Sequence, residues 1–366
     1  MVEMIFNKKT YELSLTRNYV SSWGVAQAVR ELIQNALDSG SPFIYEFEQE
    51  DDGRMTMMLR SEFSTLLPQT LLLGASSKSD DPNAIGSFGE GYKIAMLVLT
   101  RLDKDVVIHN GKMQWMPRFK MNHQFGEELL AIDEEPLSHK HGGLTYYVHN
   151  LDDSEVETIV DSCLRMQNNV GHIKQTRYGD ILIDRPGKLY VGSLFICDTD
   201  LEFGYNIKPE FITLERDRQT VSNWDLKNVT RDMWTETCEF ERIAEMIAEE
   251  CPDLEYFRYT DNAAVKDACY QHFITHHPGK VIANNDKELK ELVAQGMTVY
   301  VGGDTYYSQV SKSRSYMNQF KITRVKAAPP RDILAKFLRD NKQYMQRHAI
   351  VAFKDLIEKS QEWKAE

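Results

Sequence analysis

Between residues 25 and 36 the apolar positions Val25, Ala28, Val29, Leu32, Ile33 and Ala36 fall three and four apart, which predicts a helix with one buried face. Ser21 and Ser22 precede it as start signals, and Gly40 follows as a stop. The pattern then changes to short strand-like runs. Residues 43–49 and 55–60 flank Asp52-Gly53, and residues 105–109 and 112–116 flank Asn110-Gly111; both dipeptides are strong hairpin turns. Another strand is expected over 144–150, so the first 165 residues read as one α/β domain.

From about Gly171 the pattern is different. Strands are expected at 181–183, 189–196 and 211–215, followed by one long amphipathic helix over 224–249 that Cys251-Pro252 closes. Beyond that, a strand at 280–283, a helix at 286–295, a strand at 297–302 and a terminal helix after Pro329-Pro330 are predicted. The expected organisation is therefore three regions: 1–165, 166–252 and 253–366, the last a candidate partner-binding or dimerisation region.

With 42% hydrophobic and 27% charged residues over 366 positions, the chain can bury a substantial core and is not a disordered polymer. A net charge of -12 excludes a uniformly basic nucleic-acid clamp. No apolar run is long enough to cross a bilayer, and the polar N-terminus does not read as a secretory signal. Five widely spaced cysteines without a CxxC pair are expected as reduced thiols in a cytoplasmic protein.

Two stretches carry candidate chemistry. In the first, Arg30 to Gly40, the residues Glu31, Asn35 and Asp38 share a helical arc of about 60°, turned roughly 140° from the apolar face. That polar stripe lines solvent or a cleft. A neutral amide oxygen one turn from a carboxylate suits magnesium-assisted phosphate chemistry: the ion takes hard oxygen ligands, and the carboxylate accepts a proton from water. In the second stretch, Ile85 to Lys93, Gly86, Gly89 and Gly91 lead into the apolar helical run 94–99. Glycines let backbone amides approach an anion at a helix N-terminus, and Lys93 adds a full positive charge. No P-loop spacing occurs.

In this order the two stretches, ELIQNALDSG and GSFGEGYK, resemble the GHKL ATPase superfamily over about residues 15–165, closest to its chaperone-like and MORC-like members. The resemblance implies a Bergerat-type α/β sandwich, a largely antiparallel sheet covered by helices, followed by a transducer-like α/β domain. It also implies ATP with Mg2+ and a homodimeric, clamp-like cycle, with an unidentified protein or nucleic-acid client and no membrane. Carried over by position, Glu31 matches the general base and Asn35 the magnesium ligand, with Asp38 in the same box. Gly86, Phe88, Gly89 and Gly91 match the phosphate box, and Lys78 falls where a lid lysine stands. Thr145 resembles the strand threonine that holds adenine through water. The family's Asp-x-Gly-x-Gly is missing; Glu62 falls at the Asp position, with Ser64 and Leu66 in place of the glycines. Arg216 and Arg218 beside Gln219 resemble a loop that brings a cation to the terminal phosphate, Arg216 being preferred.

Three functions follow from that reading. The first is a magnesium-dependent ATPase whose lid, about residues 66–85, closes over nucleotide. The second is a sensor that binds ATP with little hydrolysis, and the third a protein kinase. His272, His276 and His277 lack the further ligands of a recognisable metal set, and His139 and His141 are expected in a loop.

Overall fold

A computed structural model describes residues 8–72, 90–138, 142–214, 220–320 and 330–360. The chain divides into two compact units, residues 1–310 and 311–366. The first unit opens with β1 (Lys9–Thr16), α1 (Val25–Leu37), β2 (Ile44–Gln49), β3 (Met55–Ser61), α2 (Gly91–Arg101), β4 (Val106–Asn110), β5 (Met113–Asn122), β6 (Glu127–Pro136), β7 (Leu144–Leu151) and α3 (Asp153–Asp161). Strands β1 to β7 form one sheet in the order β1-β6-β5-β4-β7-β3-β2, antiparallel at every pairing.

Alternation along the strands decides which face is covered. Met57 and Leu59 on β3, Ile108 on β4, Trp115 on β5, Leu130 and Ile132 on β6 and Leu144, Tyr146 and Val148 on β7 share one face. Against it pack Ala28, Val29, Leu32 and Ile33 of α1 and Ala95, Met96 and Leu99 of α2, all in the same core. A mixed α/β fold with a large antiparallel sheet covered by helices is the result, as the sequence predicts. The opposite face carries polar side chains such as Thr56, Arg60, Thr145 and Asp133, the two-sided character usual in antiparallel sheets.

The middle of the chain holds β8 (Ile173–Thr176), β9 (Gly179–Leu182), β10 (Lys188–Val191), β11 (Leu194–Asp198), β12 (Gly204–Ile207), α4 (Asn223–Thr237), α5 (Phe240–Ala248), α6 (Ala263–His276), β13 (Val281–Ala283), α7 (Asp286–Ala294), β14 (Val299–Val301) and α8 (Asp304–Ser311). Strands β8 to β12 make a second, mixed sheet in the order β11-β10-β12-β9-β8, in which only β10 and β12 run parallel. Three runs differ from what their sequence predicts. The run 189–196 is not one strand: Gly192 and Ser193, with φ of 57° and 76°, turn it into a hairpin. Of the expected strand 211–215, the described residues 211–214 are not a strand; a 3-10 turn at Pro209–Phe211 is followed by an isolated bridge between Leu214 and Val221. The long helix breaks at Cys238, which takes the left-handed conformation that ends α4.

Buried Asp253 ties these elements together. It accepts from the backbone N–H groups of Glu202 (2.7 Å) and Phe203 (3.2 Å) and from the Tyr205 hydroxyl, which itself accepts from Trp234 Nε1 of α4 at 2.9 Å. The edge strand β11 of the second sheet is held by the segment that follows α3: Leu164 N donates to Ser193 O, and Phe195 N to Ser162 O, each at 2.9 Å. All five cysteines are free thiols, and Cys163, Cys251 and Cys269 are buried.

The second unit contains α9 (Arg314–Gln319), α10 (Pro330–Asn341) and α11 (Arg347–Lys359). The expected single terminal helix is two, interrupted by a 3-10 turn at Lys342–Tyr344. Phe337 and Phe353 stack between α10 and α11, centroids 5.4 Å apart. Among the described residues no helix is long and apolar enough to cross a membrane.

Candidate functional site

Helix α1 starts at Gly24 rather than at the serines, the Gly24 N–H donating to Gln27 Oε1 at 3.0 Å. It ends at Asp38, whose N–H bonds back to Gln34 O at 2.9 Å. Its apolar stripe fills the core, yet Glu31 on the polar stripe is only 2% exposed. The reason is α2, which packs across it. At Gly91, the first residue of α2, an added Cβ would overlap Glu31 Oε2 and lie 3.3 Å from Glu31 Cδ. The carboxylate therefore rests on the backbone at a helix N-terminus, where partial positive charge favours an anion.

One turn further along α1, half-buried Asn35 donates its Nδ2 to Glu31 O at 2.9 Å. That bond fixes the amide, leaving Oδ1 as the end available to a cation. Arg30 Nη2 lies 3.8 Å from Glu31 Oε1. At the start of α2, the N-cap residue Glu90 makes no side-chain cap. Its first backbone N–H groups are thus of the kind that receive anions. Among the described residues no group of three or more His, Cys, Asp or Glu side chains could hold a metal. An ion held by one amide oxygen and substrate phosphates needs no such group.

The other predicted residues are distributed unevenly around this pair. Lys78, Gly86, Phe88 and Gly89 lie outside the described residues, as does Arg216. Lys93 faces inward, fully buried, its ammonium on the carbonyl of Leu72, and burial pulls its pKa down. Glu62, at the end of β3, has Arg60 Nη2 at 3.6 Å from Oε1. Thr145 is not brought to Glu31. It pairs with Arg60 and His109, and by alternation it lies on the sheet face away from the helices.

Its neighbour Tyr146 faces the helices instead, and sequence reasoning passed over it. The Tyr146 hydroxyl is buried and has no hydrogen-bond partner among the described residues. Burial pushes its pKa well up. Nearby Tyr92 donates to Thr70 O at 2.7 Å and shares a 2.9 Å hydrogen bond with Thr70 Oγ1, its own pKa raised by burial to about 12. A second residue without a sequence signal is Arg101, the last of α2. It donates to the carbonyls of Arg17 (3.1 Å), Tyr19 (2.9 Å), Val20 (3.2 Å) and Trp23 (3.1 Å), pinning the segment that leads into α1.

No family model matches the chain. An uncharacterised protein of Mycoplasma pneumoniae is 23% identical over 219 residues, spanning 56% of this chain and 89% of that protein. Among solved structures, the B subunit of the DNA gyrase from Myxococcus xanthus is similar at 8% identity with a TM-score of 0.31, over 59% of this chain and 89% of that one.

Proposed function

We propose that the chain binds ATP between α1 and the N-terminal end of α2 and hydrolyses it in a GHKL-type cycle. The observation that carries this reading is the contact of the Glu31 carboxylate with Gly91, which joins the two candidate stretches in one place. Glu31 accepts the proton of the attacking water. Asn35 supplies an oxygen to magnesium, which when bound neutralises phosphate charge. Backbone amides from Gly86 to Gly91, with Phe88 among them, cradle the phosphates; Lys78 and Arg216 bring positive charge from the lid and from the following region. At the nucleobase, Glu62 accepts from the adenine amine. The strand side chain on the helix side is Tyr146 rather than Thr145, and its buried hydroxyl is a polar group awaiting a partner. Lid closure and dimerisation complete the cycle, with residues 253–366 contacting a client.

Steady-state ATP turnover and equilibrium nucleotide binding, with and without magnesium, test this. Glu31→Ala retains binding and loses turnover, because water activation and phosphate binding rest on different groups. Asn35→Ala weakens only the magnesium-dependent part of binding. Equal turnover in wild type and Glu31→Ala rejects the assigned base. Tight binding with no turnover in either protein selects the sensing function instead.

A further inference from the structure

A cavity of about 860 Å³ lies where α1 and α3 meet the second sheet. Its wall on α1 is Ala26, Gln27 and Arg30, so it opens on a different side of that helix from Glu31, a step of about 100° per residue. The volume falls within the range of small-molecule sites, roughly 300–1,000 Å³.

The charged lining of the cavity is mixed with a small positive excess, Lys188 being paired with Asp198 at 2.7 Å and Arg30 Nη2 lying 3.8 Å from Glu31 Oε1. Arg30, Arg185 and Lys188 line it together with Asp161 and Asp184. Asp184 is already engaged: its Oδ2 accepts from the His172 backbone N–H at 2.7 Å and contacts His172 Nδ1 at 2.8 Å. Arg185 is held rigidly, but by neutral acceptors, namely Val170 O at 3.0 Å, Asn169 O at 3.0 Å and the Tyr190 hydroxyl at 3.3 Å. Its positive charge is therefore fixed in place without being cancelled. Arg30 Nη1 reaches Phe195 O at 3.5 Å, which aims a second guanidinium from the facing wall. Beside them the Tyr190 and Phe195 rings pack edge to face, centroids 5.6 Å apart, as an apolar surface.

We propose that this cavity binds a small organic anion, its acidic oxygens on the guanidiniums of Arg30 and Arg185 and its planar body against Tyr190 and Phe195. Fixed guanidiniums suit carboxylate, sulfonate or phosphate oxygens, and the aromatic wall favours an organic body over a bare ion. The site adjoins the proposed ATP site at Arg30, whose Nη2 lies 3.8 Å from Glu31 Oε1, and binding measured without nucleotide or magnesium tells the two apart.

Titration of the full-length protein with 8-anilinonaphthalene-1-sulfonate, without nucleotide or magnesium, tests it by fluorescence. A saturable component is expected. Arg30→Gln weakens that component by about tenfold, the loss of one charge-assisted hydrogen bond. Ala26→Trp and Thr158→Tyr, which fill the cavity from two walls, abolish it while leaving the circular dichroism spectrum unchanged. Salicylate displaces the dye at lower concentration than inorganic phosphate does. Dye binding indifferent to all three variants overturns the site, and phosphate competing as well as salicylate overturns its assignment to an organic ligand.

Discussion

Glu31 and Gly91 constrain each other, and the constraint separates local from tertiary effects. Gly91 begins a helix and is not in the left-handed region, so by backbone preference alone alanine there is better by up to about 1 kcal/mol. Its Cβ, however, would occupy the place of Glu31 Oε2. Gly91→Ala is therefore expected to destabilise by about 1–3 kcal/mol and to lower ATP turnover, because the carboxylate must move. In a Glu31→Ala background the same change becomes neutral or stabilising. Urea unfolding of the four proteins in that cycle measures the coupling, and additive effects would show that the two residues do not press on one another. Tyr146 offers the converse case. Its hydroxyl is buried without a partner among the described residues, and such a group costs about 1–3 kcal/mol. Tyr146→Phe should raise the thermal midpoint of the unliganded protein while weakening nucleotide binding. A fall in the midpoint would mean that the hydroxyl is satisfied in the free protein.

At the scale of elements, α1 is held in register by something its own sequence does not contain. Arg101 of α2 gathers four carbonyls from residues 17–23, and its charge also suits a helix C-terminus. Arg101→Met keeps the stem but removes the donors. It is expected to cost about 2–3 kcal/mol and to speed amide exchange over residues 17–24 far more than in β4 or β7. Equal protection in both proteins would show the clamp to be dispensable. What the sequence reveals follows the same division between local and distant causes. The period of α1 and the turn at Asp52-Gly53 are local, and the structure has them; the second hairpin is there too but turns one residue later than expected, at Gly111-Lys112, with Asn110 paired to Met113. Strand β6 was not legible because Leu129 to Glu134 are all buried although two are acidic. Asp133 and Glu134 lie on opposite faces, one held by Arg118 and the other by Trp115. The Gly192-Ser193 hairpin was missed because Ser193 gives no sign of its positive φ. In the site, the contact of residues 31 and 91 follows from two helices meeting on one sheet. Thr145 illustrates the limit of transfer by position: a one-residue step along a strand exchanges the two faces, and Tyr146 takes the covered one.

For the whole molecule, acid stability hinges on where acidic groups sit rather than on the net charge of -12. Asp133 accepts from Arg118 Nε at 2.7 Å and Thr10 Oγ1 at 2.7 Å, with Lys8 Nζ at 3.4 Å. The Arg118 hydrogen bond, chiefly, holds its carboxyl down to about 2. A carboxyl depressed in the folded state contributes stability that is complete above its unfolded pKa and is lost as pH falls through the folded value. For Asp133 that window runs from about pH 4 to about pH 2. Asp253 has the opposite sign: burial raises its pKa, so acid relieves a cost instead of adding one. Asp133→Asn should therefore lower stability by about 1–2 kcal/mol at pH 7, a figure reduced by the partial exposure of Arg118. The deficit then shrinks between pH 4 and pH 2 until variant and wild type unfold alike. Trp115, whose Nε1 donates to the adjacent Glu134 at 2.8 Å, reports that transition by fluorescence in urea titrations at pH 7, 4 and 2.5. A deficit that stayed constant across those three pH values would place the acid sensitivity of this sheet in other carboxylates.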